Sequence, residues 1–171
     1  LHYQFESIHP FLDGNGRLGR IIIALYMMQS KQISSPIFFV SEELEKKRAR
    51  YYHLLNETRG EKPNWFNWLS FFLDASQRMA DKLNLLLDKA EVMAKEGMLK
   101  CDTHIQRQVY LLTFRYPNIT AVQVAEQFKI APTTARRVLN YLDEKGLVFK
   151  DKSQKRNIEY FNYDVLDLLS N

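Results

Sequence analysis

The chain has one cysteine, Cys101. That rules out an internal disulfide framework and fits a reducing compartment. Long hydrophobic runs are missing too: the longest, Ile21 to Met28, is far too short to span a bilayer, and no stretch has the layout of a signal peptide. Charge of one sign is scarce. Residues 1–101 hold 14 Lys and Arg against 12 Asp and Glu, and residues 102–171 hold 10 against 8, so neither part is a nucleic-acid module on charge alone. His2, His53, His104 and Cys101 have no metal-ligand spacing, and there is no internal repeat or low-complexity tract. What is present is ordinary globular composition over 171 residues, enough for one domain or two small ones. A soluble cytoplasmic protein is expected, with no membrane partner.

The most informative stretch is His9-Pro10-Phe11-Leu12-Asp13-Gly14-Asn15-Gly16-Arg17-Leu18-Gly19-Arg20, a polar Gly-rich loop opening onto an apolar helix. The first N–H groups of a helix lack internal partners and sit at the positive end of its dipole, so such a junction binds anions. Gly14 and Gly16 allow positive φ and close backbone approach. Arg17 near a helix N-terminus is mildly unfavourable by itself. Arg17 and Arg20 are three apart and share a face, which makes sense if a multiply charged anion lies between them.

Taken in order, the pattern predicts a central buried helix from about Asn15 to Lys31, apolar nearly all round. A second helix starts at Ser41 as N-cap, with Glu42 and Glu43 four before Lys46 and Lys47, and ends at Arg59-Gly60 and Pro63. Asn64 caps a long helix to about Gly97, whose Trp65, Trp68, Leu69, Phe72 and Met79 read as core. Eight residues before the loop look like a helix's end rather than a domain's beginning, so sequence upstream of Leu1 is expected. Lys100-Cys101-Asp102 reads as a linker dividing residues 1–100 from 101–171. Beyond it come a helix from about Thr103 to Arg115, a helix from Ala121 to Phe128 with Thr120 and Gln123 as a capping box, and a helix starting at Pro132. This last helix carries Thr133, Thr134, Arg136 and Arg137 outward. Leu147-Val148-Phe149 and Ile158 to Phe161 alternate like strands, with Lys152, Lys155 and Arg156 at the polar tip between them. Helix, helix, turn, helix, hairpin is a winged helix-turn-helix, so the fold class is mainly α with a small β-hairpin.

Residues 9–20 match position for position the signature of the Fic family, H-P-F-x-[DE]-G-N-G-R-x-x-R, and the resemblance extends over roughly residues 1–100, the C-terminal portion of a Fic-type helical bundle incomplete at its N-terminus. The tail resembles the winged helix-turn-helix behind many bacterial Fic domains. The resemblance implies a protein adenylyltransferase that moves AMP from ATP to a Ser, Thr or Tyr hydroxyl of a target protein and releases pyrophosphate. Carried over by position, His9 is the general base, a task suited to a group that changes protonation near neutrality. Asp13 holds Mg²⁺ bridging the phosphates. Gly14, Asn15 and Gly16 form the anion hole, and Arg17 and Arg20 neutralise the charge building on pyrophosphate. Phe11 anchors the loop in the core. The resemblance puts Tyr51 and Tyr52 near the nucleotide, with core packing as the alternative. Relatives that phosphorylate their targets carry Lys where Gly16 stands, so Gly16 favours adenylyl transfer.

Two parts of the family pattern are not found in residues 1–171. The flap that aligns a target segment lies upstream of the signature. The inhibitory motif [ST]-x-x-x-E-[GN] fails at Glu96-Gly97 because Val92 stands four before the Glu. An incomplete scaffold should expose apolar surface on Ile21–Met28 and associate with a copy of itself or with an upstream segment. The competing function is a non-catalytic, nucleotide-sensing transcriptional regulator. In it Thr133, Thr134, Arg136, Arg137, Lys152, Lys155 and Arg156 contact DNA, or a protein partner, although Ala131 stands where many recognition helices have a capping Ser or Thr.

Overall fold

A computed structural model describes residues 1–59, 62–154 and 157–170. The structure is mainly helical, and it divides into two compact units, Leu1–Asn84 and Leu85–Asn171. The first unit begins with helix α1 (His2–Ile8), which ends at His9 in the left-handed conformation (φ 50°). The loop 9–14 leads into α2 (Asn15–Gln29), with Gly14 at its N-cap (φ 80°). There follow α3 (Ser41–Glu45), α4 (Arg48–Glu57) and α5 (Trp65–Leu99). Asn64 caps α5 as predicted, its Oδ1 accepting the Asn67 N–H at 3.3 Å. The core of this unit gathers Val40, Leu44, Tyr51, Leu54, Leu55, Trp68, Phe71 and Ala75.

Helix α2 is not buried all round: Asn15, Gly19 and Ala24 are its buried residues, while Ile21, Leu25 and Tyr26 are each about half exposed. Its close neighbour is α1, and the contact is tight because Gly19 has no side chain; a Cβ there would collide with the Glu6 carboxylate. An apolar helix needs neighbours on every side to be buried, and in this unit only part of its circumference has one. The helix expected from Ser41 is two helices, interrupted at Lys47 (φ −122°, ψ 39°). With Lys47 outside the helix, Glu43 pairs with Lys46 and with Arg78 instead. Ser41 is not a cap: the N-cap of α3 is Val40, with no side-chain hydrogen bond. Along α5, Trp68, Phe71 and Ala75 are buried, whereas Trp65 and Leu69 are exposed. The predicted stop at Arg59-Gly60 includes Gly60, which lies outside the described residues.

The second unit holds the end of α5, then α6 (His104–Arg115), β1 (Asn118–Thr120), α7 (Ala121–Phe128), α8 (Pro132–Glu144), β2 (Phe149–Lys150), β3 (Glu159–Phe161) and α9 (Tyr163–Ser170). Capping boxes open both α6, through Thr103 and Gln106, and α7, through Thr120 and Gln123. Besides the predicted hairpin there is a third strand. β1 pairs antiparallel with β3, Ile119 opposite Tyr160, in the order β1-β3-β2. Val109, Val124, Ala135, Leu139, Leu142 and Val148 fill the core at 0% exposure. The boundary between the units falls inside α5, where the sequence places it after residue 100. The physical reason is Gly97, which lies against the Tyr110 ring, while the Tyr110 hydroxyl donates to the Met93 carbonyl at 3.1 Å. The last turns of α5 therefore pack with α6. No helix among the described residues is long and apolar enough to cross a membrane.

Candidate functional site

The loop 9–14 is held from within. The Phe11 N–H donates to Asn15 Oδ1 at 2.9 Å, and the Phe11 carbonyl accepts from Asn15 Nδ2. Asn15 is 2% exposed, so its side chain serves the loop and leaves only its backbone N–H for a ligand. This corrects the expected role of Phe11: its ring is half exposed and meets Phe5 at a centroid distance of 6.5 Å. The polar clamp, not an aromatic anchor, sets the loop's shape. The left-handed His9 and the Gly14 N-cap turn the chain into α2, whose first N–H groups have no hydrogen-bond partner among the described residues.

His9, Asp13, Gly14, Gly16, Arg17 and Arg20 border one cleft of about 540 Å³. The rest of its lining comes from Ser41, Glu42 and Glu45 on α3 and from Arg48 and Tyr52 on α4. Arg17 meets Asp13 at 3.4 Å in an exposed pair. Arg20 is half-buried and donates its Nε–H to Ser41 Oγ at 3.1 Å; among the described residues no carboxylate pairs with it. The acids of the α3 lining are engaged elsewhere. Glu42 accepts from Lys82 at 2.9 Å and pairs with Lys46 at 3.0 Å, and these two cations hold its carboxyl below the usual carboxylate range. Glu45 pairs with Arg48 at 3.5 Å. The lining from α3 and α4 is thus nearly neutral, and the cleft keeps an uncompensated cation beside the positive end of α2.

The two tyrosines separate. Tyr52 borders the cleft, exposed, with Arg48 5.6 Å above its ring. Tyr51 is 3% exposed, and its hydroxyl meets His2 Nε2 at 2.9 Å. Burial, then the nearby Glu6 carboxylate, pushes the Tyr51 phenol up. Core packing accounts for Tyr51. As for magnesium, no group of three or more His, Cys, Asp or Glu able to hold a metal occurs among the described residues. Asp13 is a single exposed carboxylate, which fits an ion that keeps waters and takes its remaining ligands from substrate phosphates. Ser41, Glu42, Glu45 and Arg48 line the cleft without belonging to the signature stretch. Ser41 lies 21 residues from Arg20, and no periodicity links them; only Arg48 and Tyr52, four apart on one helix, left a readable signal.

The family model described as Fic/DOC family matches residues 1–27. The loop therefore lies in a Fic/DOC family segment. A second model, a DeoR-like helix-turn-helix domain, matches residues 117–152. The chain is 26% identical over 120 residues to Protein adenylyltransferase Fic of Drosophila persimilis, covering 70% of this chain and 22% of that relative. It is 35% identical over 54 residues to the protein of the same name from Drosophila erecta, covering 32% of this chain and 10% of the relative. The chain thus spans about a fifth or less of the length of the Fic relatives it matches. Among solved structures it is similar to the YusO protein from Bacillus subtilis at 20% identity and a TM-score of 0.35, over 56% of this chain and 76% of that one.

In the DeoR-like segment, Thr133, Arg136 and Arg137 are exposed on α8 and Thr134 is half-buried. Ala131 is the N-cap of α8 and makes no side-chain cap bond. Lys152 is exposed in the turn after β2, while Lys155 and Arg156 lie outside the described residues.

Proposed function

We propose that the cleft binds the polyphosphate of ATP and that the protein to which this Fic/DOC segment belongs is an adenylyltransferase acting on a hydroxyl of a target protein, in a cytoplasmic setting. The observation that carries this reading is the convergence of His9, Asp13, the first turn of α2, Arg17 and Arg20 on one cleft. In the reaction His9 takes the proton from a Ser, Thr or Tyr hydroxyl. The oxygen then bonds to the α-phosphorus, the bond to the bridging α–β oxygen breaks, and pyrophosphate leaves. The N–H groups of Gly16 and its neighbours, with Arg17 and Arg20, stabilise the charge gathering on the leaving group. Magnesium, held by Asp13, would neutralise phosphate charge. The exposed Ile21, Leu25 and Tyr26 support association of this unit with a further segment or a second copy. The test is incubation with α-labelled ATP, Mg²⁺ and lysate. Label should appear on a protein and vanish with His9→Ala, while that variant still binds ATP. Labelling that survives His9→Ala would overturn the assignment.

A second reading has its own support. The DeoR-like match and the exposed Thr133, Arg136 and Arg137 on α8 favour DNA as a partner. In that reading the chain is a nucleotide-sensing regulator and the cleft binds without turnover. ATP binding together with DNA binding, and no transfer to any protein, would favour it over the first.

A further inference from the structure

We infer that Ser41 is a positioning residue for Arg20 and a direct phosphate contact, so that the anion site has a second wall outside the signature loop. The inference rests on the polyphosphate reading above and deepens it.

Ser41 carries a hydroxyl without a structural task. It is the first residue of α3, yet the N-cap is Val40, and no side chain caps this helix. Its Oγ accepts the Arg20 Nε–H at 3.1 Å. A hydroxyl has two lone pairs and one proton. One lone pair is spent on Arg20, and the O–H has no acceptor among the described residues. Ser41 borders the same cleft as the loop.

Arg20 supplies the other half. Nη1 lies 3.2 Å from where a Gly16 Cβ would stand, so the guanidinium reaches from α3 back to the first turn of α2. Holding Nε fixes the plane of the guanidinium and leaves its four terminal N–H groups for a ligand. An unpaired arginine would sample many rotamers, and fixing one before binding removes an entropy cost from the bound state. A carboxylate in the place of Ser41 would hold Arg20 as well but would cancel its charge. A hydroxyl holds it and leaves the charge for the phosphates. The Ser41 O–H can then donate to the same anion.

The test uses the full chain and titrates ATP with Mg²⁺, inorganic tripolyphosphate and adenosine against wild type, Ser41→Ala, Ser41→Thr and Arg20→Ala, with thermal melts of each. Ser41→Ala should weaken ATP and tripolyphosphate by about tenfold, the scale of a lost charge-assisted hydrogen bond. It should leave adenosine affinity and the melting temperature unchanged, and Ser41→Thr should restore the phosphate affinity. Wild-type affinity in Ser41→Ala, with Arg20→Ala impaired, overturns the role of Ser41 and leaves the polyphosphate site standing. Equal losses for adenosine and tripolyphosphate, or a lowered melting temperature, mean that Ser41 acts through the fold and also overturn it. No tripolyphosphate binding by wild type removes the polyphosphate reading, and the role of Ser41 with it.

Discussion

Asn15 grips the backbone of Phe11 from both sides: its Oδ1 accepts the Phe11 N–H, and its Nδ2 donates to the Phe11 carbonyl. Two polar backbone groups of the loop thereby find partners without water. Asn15→Ala strands both, at a cost of about 1–3 kcal/mol. Asn15→Asp removes the donor and sets a carboxylate against the Phe11 carbonyl, so it should be at least as damaging. Chemical denaturation checks the stability loss. Titration with ATP should show weaker binding in both variants, because the first turn of α2 loses its fixed approach.

Asp13 should behave in the opposite way. Its pair with Arg17 is exposed, with the two side chains 92% and 74% accessible, and such pairs contribute little. Asp13→Asn is therefore expected to leave the melting temperature unchanged while abolishing the Mg²⁺ dependence of ATP binding. A large drop in melting temperature would show that Asp13 serves the fold.

His2 makes the stability of the first unit depend on pH. Its Nδ1–H donates to the Gly19 carbonyl at 3.0 Å, and its Nε2 meets the Tyr51 hydroxyl at 2.9 Å. Burial lowers its pKa from the ordinary 6.5, outweighing the Gly19 bond, which raises it. A folded value below the unfolded one means that the unfolded chain binds the proton more readily. The His2 contribution is thus fully present above about pH 6.5 and is lost as pH falls from there through the depressed folded value. Melts across this range should show an acid limb that His2→Gln flattens.

Gly97 poses a contest between two effects. Alanine in a helix interior gains about 1 kcal/mol over glycine. At Gly97, however, a Cβ would run into the Tyr110 ring, and Tyr110 is 3% exposed. Overpacking of this kind costs about 1–3 kcal/mol, so Gly97→Ala should be net destabilising. Gly97→Ala combined with Tyr110→Leu should recover part of the loss, as a double-mutant cycle in denaturant would report.

If α8 meets DNA, Arg136→Glu and Arg137→Glu should weaken binding to duplexes of any sequence and flatten its salt dependence. Unchanged salt slopes by fluorescence anisotropy would point to a protein partner for this face.

Local signals in the chain were enough for much of this. Thr120 with Gln123, Pro132 at the start of α8 and Asn64 before α5 are start signals, and each helix begins where they stand. They are readable because a cap joins residues two or three apart. The signature loop was legible for the same reason, its residues being adjacent. What failed was whatever depends on a distant neighbour. Apolar residues around α2 predict burial only if other elements cover every side, and they do not. Tyr51 and Tyr52 are alike in sequence, yet packing sends one into the core and one to the cleft. Strand β1 exists because β3 offers it a partner about 40 residues later. Ser41 carried the mark of a helix cap, and only the folded chain brings Arg20 to its hydroxyl. The sequence by itself determined which polar and charged groups stand together at residues 9–20 and that they open a helix, because adjacent residues and helix starts suffice for that. Tertiary structure decided which groups face that chemistry, because only contact can spend or spare a hydrogen bond or a charge.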